Sequence, residues 1–271
     1  MIKIKNLSYH YPDGSSALDS ITLNIRKGEF VAIAGKNGCG KSTLLRHING
    51  LLQPSEGSVT VKGIDTSDRS KLQEIRRTAA MVFQDPQSQF IGMTVEDDIA
   101  FGPENLGLPS SEIKRRVSIA LESVGMSAYR YNTPRTLSGG QKQKVALASV
   151  LAMEPEIILF DEVTSMLDSV SRMDMLSLIR QLHEAGTTII YVTHLLEELV
   201  LADRLLLMKK GCITQDGNPR DIISKISSGS FGFDAPPIIE LSKKLVDAGI
   251  IESSFLPLSK DELLEAICRL K

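Results

Sequence analysis

The chain has 271 residues, enough for one large α/β domain with an appendage or for two small domains, and 42% hydrophobic against 24% charged residues allow a sizeable core. Its formal net charge of −2 argues against nucleic acid as a partner, because nucleic-acid binders usually carry an excess of Lys and Arg on one face. Three scattered cysteines (Cys39, Cys212, Cys268) form neither a disulfide framework nor a zinc site, and imply a reducing cytosolic setting.

The N-terminal stretch from Met1 to Tyr11 interleaves Lys with Ile and has no signal-peptide core. Ile2 and Ile4, then Ile21, Leu23 and Ile25, alternate with polar residues and predict half-buried antiparallel strands around a turn at Tyr11–Gly14. Phe30–Ala34 reads as a buried parallel strand running directly into a helix over Lys41–Gly50. Ser110-Ser111 is expected to cap a helix whose apolar positions are Ile113, Val117, Leu121 and Val124, stopped by Gly125. Ile157–Phe160 predicts a strand, Leu176, Ile179 and Leu182 a helix ending at Gly186, and Thr188–Val192 another strand. This alternation implies a parallel sheet covered on both faces. In the tail, Ile238, Leu241, Leu245 and Ala248 are compatible with one helical face, and Ser259 with Glu262 predicts a capping box ahead of Leu263, Leu264, Ile267 and Leu270. No run reaches the roughly 18 apolar residues of a membrane span, so a membrane role requires a partner.

Three motifs carry chemistry. Gly35-Lys36-Asn37-Gly38-Cys39-Gly40-Lys41-Ser42-Thr43 fits the phosphate-binding pattern G-x-x-x-x-G-K-[ST] and lies between a predicted strand and helix. Its glycines allow a concave nest of N–H donors, Lys41 supplies a cation for the β- and γ-phosphates, and Ser42 offers a hydroxyl to Mg²⁺. Asp161 and Glu162 follow a four-residue apolar strand, where open α/β sheets bind ligands. Asp161 suits the Mg²⁺ shell and Glu162 suits polarising an attacking water. Leu137-Ser138-Gly139-Gly140-Gln141 reads locally as a Ser-capped helix start with two glycines exposing the first N–H groups.

In order and spacing these three elements resemble those of ABC ATPase domains. The resemblance implies an α/β P-loop NTPase fold: a RecA-like parallel-sheet core, an antiparallel β subdomain, a helical insert and a small C-terminal domain. It places the ATPase domain at 1–216 (core 1–85 and 155–216, insert 86–154) and a dimerisation or accessory segment at 217–271. Tyr11 looks like the residue stacking on adenine, and Gln84 like the glutamine linking Mg²⁺ and water to the insert. Ser165, Leu167 and Asp168 resemble the D-loop of the dimer seam, and His194 the γ-phosphate sensor. In that family two domains meet head to tail, and each ATP lies between one phosphate loop and the other chain's 137–141 signature. Val163, Lys144 and Leu195 depart from the common Pro, Arg and Asp without removing a group from the chemistry. Cys39 is expected to confer sensitivity to thiol reagents.

The finer resemblance, carried by Val82–Phe90, Thr94–Asn105, Thr164–Asp168 and Pro236–Leu241, is to the ATPase subunits of energy-coupling factor transporters. It implies a second ATPase, identical or not, a membrane coupling protein, an integral substrate-binding subunit, a peripheral place on the cytoplasmic face of the membrane, and a vitamin or transition-metal ion as cargo. Glu96, Asp97 and Asp98 are candidates to meet the coupling protein. The alternative is an ATPase of another importer, for amino acids or a metal, with conventional permeases. A DNA-repair ATPase would need coiled-coil arms between the first two motifs, where only about 90 residues intervene without sustained heptads. A translation factor would need two ATPase halves, and a regulatory module without turnover does not explain intact Lys41, Gln84, Asp161, Glu162 and His194.

Overall fold

The structure, a computed structural model, describes residues 1–225, 237–251, 256–258 and 260–268. The alternating N-terminal segments form the antiparallel pair β1 (Ile2–His10) and β2 (Ser16–Ile25), as their period of two requires. Ile2, Ile4 and Leu7 of β1 are buried, and the three-residue step from Ile4 to Leu7 marks a register shift with Asn6 in the left-handed region at φ 48°. The extra residue keeps the apolar side chains on one face across the shift. Opposite it, on β4 (Glu56–Val61), which pairs antiparallel with β1, Gly57 sits at φ 80° against the carbonyls of Lys5 and Asn6.

β3 (Phe30–Gly35) opens the second, six-stranded sheet. Its neighbours are β9 (Arg204–Lys209) with β10 (Cys212–Gly217) beyond on one side, and β8 (Thr188–Val192), β7 (Ile157–Asp161) and β6 (Ala79–Val82) on the other. All pairings are parallel except the β9–β10 hairpin. The wholly apolar strands are explained by a core on each face. Phe30, Ala32 and Ala34 join Ile158, Phe160 and Tyr191 in one core, while Val31 and Ile33 join Leu159, Ile190 and Val192 in the other. Helix α1 (Lys41–Ile48) and the antiparallel sheet cover the second face. The first is covered by α5 (Gly139–Leu151) and α6 (Ser169–Glu184), together with α3 (Val95–Asn105) and α4 (Ser110–Ser123) of the insert.

Two helical expectations are corrected. The N-cap of α4 is Pro109, without a side-chain bond, so Ser110 and Ser111 lie inside the helix. Proline fixes the extended backbone that a cap needs, and the serines supply the first turn. In the tail, helix α9 (Pro237–Asp247) buries Ile239 and Ser242, whereas Leu241 is 47% exposed and Ala248 also faces outward. Ser242 occupies a core place that apolar periodicity could not assign. Ser259 and Leu270 lie outside the described residues. Glu262 of α10 (Lys260–Cys268) accepts a hydrogen bond from Leu258 N–H at 2.9 Å and pairs with Arg220. Leu263 is buried, while Leu264 and Ile267 are exposed. Among the described residues no helix is long and apolar enough to cross a membrane.

A Cβ on Gly57 would lie 2.2 Å from the Asn6 carbonyl and 2.3 Å from that of Lys5, both backbone atoms. Gly57→Ala is expected to destabilise the protein by about 1–3 kcal/mol from left-handed strain alone, with the clash added. Thermal unfolding of the purified variant checks this; an unchanged midpoint would contradict the tight crossing of β1 and β4.

Candidate nucleotide-binding and catalytic site

The phosphate loop, which joins β3 to α1, lies against the backbone of β9 and β2 so closely that two positions admit no side chain. A Cβ on Gly35 would meet the Met208 carbonyl at 2.3 Å, and one on Gly40, at φ 107°, the Ala17 carbonyl at 2.4 Å. Lys41 begins α1 with only 4% of its side chain exposed. Its Nζ donates to the carbonyls of Gly35 (2.9 Å) and Lys36 (3.3 Å) and lies 3.5 Å from Glu162 Oε1. A buried ammonium must be matched by acceptors, and here the loop's own carbonyls begin the match. Beside the loop is a cleft of about 450 Å³ lined by Tyr11, Asn37, Gly38, Gly40–Thr43, Gln84 and Glu162.

Tyr11 stands at the end of this cleft with its hydroxyl 3.0 Å from Thr43 Oγ1. Its ring is edge-on to Tyr9 (5.0 Å between centroids), which is edge-on to His47 (4.7 Å). His47 Nδ1 lies 2.8 Å from the Thr43 carbonyl, and burial pushes the imidazole below its ordinary pKa, towards the neutral form. Sequence reasoning missed Tyr9 and His47, because only the packing of β1 against α1 brings their rings together beside Tyr11.

Strand β7 delivers the two carboxylates. Asp161 is buried and accepts a 2.7 Å hydrogen bond from Ser42 Oγ. Burial raises its carboxyl above the ordinary range and the neighbouring Glu162 adds to this, while the Ser42 bond, Arg46 and Lys41 oppose it. Glu162 leaves the strand in the left-handed region at φ 50°, an uncommon conformation for a non-glycine residue. Its N–H donates to the Val192 carbonyl (3.0 Å), and its own carbonyl accepts from Ser165 N–H (3.1 Å) and Oγ (2.8 Å). The turn aims the carboxyl into the cleft. There Oε2 lies 3.4 Å from His194 Nδ1 and 3.5 Å from Gln84 Nε2, which also reaches Ser165 Oγ at 3.3 Å. These contacts are long, as catalytic hydrogen bonds often are without substrate.

The signature is built elsewhere. Ser138 caps α5 through a reciprocal box with Gln141: Oγ accepts from Gln141 N–H at 3.3 Å, and Gln141 Oε1 accepts from Ser138 N–H at 2.9 Å. Leu137 and Leu167 are buried anchors. Asp168 caps α6, accepting from Val170 N–H, Ser171 N–H and Ser171 Oγ, which hold its carboxyl below the ordinary range. The two motifs meet where a Cβ on Gly140 would lie 2.4 Å from Ser171 Oγ, whereas Gly139 faces open space. Thus the fold gathers Tyr11, the phosphate loop, Gln84, Asp161, Glu162 and His194. No residue of 137–141 lines their cleft.

The acidic start of α3 is largely occupied by internal partners. Asp97 forms a capping box with Thr94, Glu96 pairs with Arg130 at 2.6 Å, and Asp98 Oδ1 accepts from Ile91 and Gly92 N–H. Buried Asp98 Oδ2 has no hydrogen-bond partner among the described residues. Asp98 lines a groove of about 400 Å³ between core and insert, with Phe83, Phe90, Phe101 and Met153. Lys144, in place of the common Arg, pairs with Asp174 across α5 and α6 at 2.9 Å.

The expected thiol sensitivity is corrected by burial: Cys39 is 5% exposed and desolvation pushes its thiol up, opposing the thiolate. At pH 7 Cys39 should resist alkylation in the folded protein and react after denaturation, measured by peptide mass; rapid native labelling at Cys39 would refute this. Asp161 gives a second prediction. Its pKa is raised on folding, so its ionisation costs stability, a cost fully present once pH exceeds the folded-state pKa. Asp161→Asn should therefore raise the nucleotide-free melting temperature at pH 7. A lowered midpoint would show that the Ser42 bond outweighs desolvation.

Comparison with known proteins agrees with this geometry. Residues 18–165 match the family model described as ABC transporter. The energy-coupling factor transporter ATP-binding protein EcfA of Methanosarcina acetivorans is 51% identical over 270 residues, covering 100% of this chain and 98% of that protein. A solved structure of cbiO1 from Clostridium perfringens, described as part of the ABC transporter complex cbiONQ, superposes with a TM-score of 0.78 at 34% identity, over 90% of this chain and 94% of that one. The ATP-binding cassette MJ0796, solved as a dimer in a post-hydrolysis state with ADP and Pi, gives 0.75 at 33% identity, over 81% of this chain and 99% of that one. The chain belongs to the ABC transporter family, as an ATP-hydrolysing energy-coupling factor ATP-binding protein.

Proposed function

We propose that this chain closes head to tail with a second ATPase around ATP and so drives an energy-coupling factor importer. The observation that carries the reading is the convergence of Lys41, Gln84 and His194 on the Glu162 carboxyl, all within 3.5 Å. The charge arrangement suits phosphoryl transfer to water, where positioning and electrostatics dominate. In this reading Tyr11 stacks on adenine, and the N–H groups of Gly35–Thr43 cradle the phosphates. Lys41 and His194 face the γ-phosphate. Glu162 accepts a proton from the attacking water as its oxygen bonds the γ-phosphorus and the bond to the β–γ bridging oxygen breaks.

The hydroxyl of Ser42, the carboxylate of Asp161 and the amide oxygen of Gln84 form a hard-oxygen set that fits Mg²⁺. Among the described residues no group of three or more His, Cys, Asp or Glu could hold a metal by itself. That suits an ion taking few protein ligands beside phosphate oxygens. When bound, Mg²⁺ supplies charge neutralisation on the β- and γ-phosphates. The raised Asp161 carboxyl is supported in its ionised form by a nearby cation.

The second ATPase contributes its Ser138 and the first N–H groups of its α5, an anion site that one chain leaves outside its own cleft. Leu167 and Asp168 stand at the seam, and residues 217–271 serve as an accessory or dimerisation segment beside the ATPase domain at 1–216. The groove holding Asp98, Phe101 and Met153 suits a helix of the membrane coupling protein, with an integral subunit selecting a vitamin or transition-metal ion. The chain then works peripherally on the cytoplasmic face of the membrane.

Glu162→Gln should lower turnover roughly 10²–10⁴-fold and retain ATP. With ATP the variant should elute as a closed dimer on size exclusion, with its partner ATPase supplied where one is required. A variant that stays monomeric would overturn the head-to-tail reading. Tagged chain purified from solubilised native membranes should bring a coupling protein and a small integral binding subunit. Recovery of two permeases with a soluble binding protein would overturn the importer class and leave the motor intact.

A further inference from the structure

The most buried carboxyl group of the catalytic end lies outside the nucleotide cleft. Glu198, on the short helix α7 (Leu196–Leu199), has no exposed surface, and no motif accounts for it. Three hydroxyls converge on its Oε2: Thr193 Oγ1 at 2.6 Å, Tyr191 OH at 2.7 Å and Thr164 Oγ1 at 3.0 Å. The three donors are at most 2% exposed, and Oε1 has no partner among the described residues. Burying an unmatched acceptor is unfavourable, and an apolar side chain of this size would fill the place without that cost.

What distinguishes the cluster is the pair of segments it joins. Thr193 immediately precedes His194, and its hydroxyl also accepts from Leu195 N–H at 3.1 Å, so both neighbours of the histidine are fixed to Glu198 through one oxygen. Thr164 lies two residues after Glu162 and one before Ser165, and its carbonyl accepts from Leu167 N–H at 3.1 Å. Tyr191, on β8 between the two segments, is wedged edge-on between Phe30 and Phe160. Burial and Glu198 together push its phenol well above the ordinary range, so it remains a hydrogen-bond donor at any physiological pH.

We infer that Glu198 is a positioning residue that locks the His194 loop to the Glu162–Asp168 segment, so that γ-phosphate sensing and water activation move as one body. Glu198 is fully buried and does not line the nucleotide cleft; it acts through Thr193 on one side and Thr164 on the other. The inference rests on the nucleotide reading of the cleft, and its failure is separable from the failure of that reading because ATP binding is measured independently.

The test uses the assembled transporter and cuts the link on each side in turn. Thr193→Val and Thr164→Val each remove one donor while keeping shape. Each should lower kcat roughly tenfold to a hundredfold with the KM for ATP and the affinity for a fluorescent ATP analogue unchanged, because a small misplacement of the reacting groups acts on the transition state. The double variant should lose less than the product of the two single losses, since either cut already frees the two segments. Thr193→Ser and Thr164→Ser, which restore the hydroxyl, should restore the rate. Glu198→Gln should show the same kcat-selective loss; where it does not fold, the threonine pair decides. Rates that merely follow the melting temperature, multiplicative losses in the double variant, or KM and kcat shifting together would overturn the positioning role. Loss of ATP binding in the unmodified complex would overturn the nucleotide reading instead.

Discussion

A buried ammonium group organises the centre of this protein. Lys41 is almost entirely enclosed, and its charge requires acceptors from every direction its three hydrogens can take. Two loop carbonyls and the Glu162 carboxyl provide them. That arrangement fixes the start of α1, the curl of the phosphate loop and the exit of the β7 strand relative to one another. The exclusion of any Cβ at Gly35 and Gly40 follows, because the loop curls tightly only where the backbone lies against Met208 and Ala17. The two cores on the faces of the parallel sheet hold the ends of β3, β7 and β8 in register, so the groups those strands carry arrive within hydrogen-bonding range.

Around that centre, the left-handed conformation of Glu162 does geometric work. A residue continuing β7 in extended form would alternate its side chain with Asp161, towards the opposite face of the sheet. The turn instead sends the Glu162 carboxyl into the cleft while buried Asp161 reaches it through Ser42, with bonds to Val192 and from Ser165 holding the strained backbone. Such strain persists only where the surroundings over-determine it. The Glu198 cluster lies directly beneath this turn and beneath the His194 loop.

Most of the architecture was legible because its physical causes are local. Period-two alternation at Ile21, Leu23 and Ile25 specifies a half-buried strand, and the apolar run Ile157–Phe160 specifies a strand buried on both sides. The phosphate loop was legible for the same reason, because phosphate chemistry needs a lysine and glycines at fixed spacing, whereas Tyr11, Gln84 and His194 were reached only through the family resemblance. Most of what escaped depends on long-range packing. Ser242 is buried and Leu241 exposed because the neighbours of α9, rather than its own periodicity, decide which face turns inward. Pro109 rather than Ser110 caps α4, a choice that rests on backbone angle and not on residue preference. Cys39 looked reactive beside Lys41, yet burial dominates its environment. Glu198 sits in Leu195–Leu199 as one of two adjacent glutamates; Glu197 pairs on the surface with Arg172 while Glu198 faces inward, a distinction that only the three hydroxyls of distant segments create.

The bond between Tyr11 and Thr43, set beside the loop carbonyls on Lys41, makes the cleft its own competitor. The side chains of Tyr11, Lys41 and Ser42, which would grip a nucleotide and its metal ion, already have partners within the chain, so an incoming ligand exchanges these contacts and does not simply add them. Net affinity is then the difference between two sets of interactions, and it is smaller than the contacts to the ligand alone would provide. For a motor that must let go of its spent nucleotide in each cycle, such self-satisfaction speeds discharge, because the groups released by departure are immediately re-engaged at home.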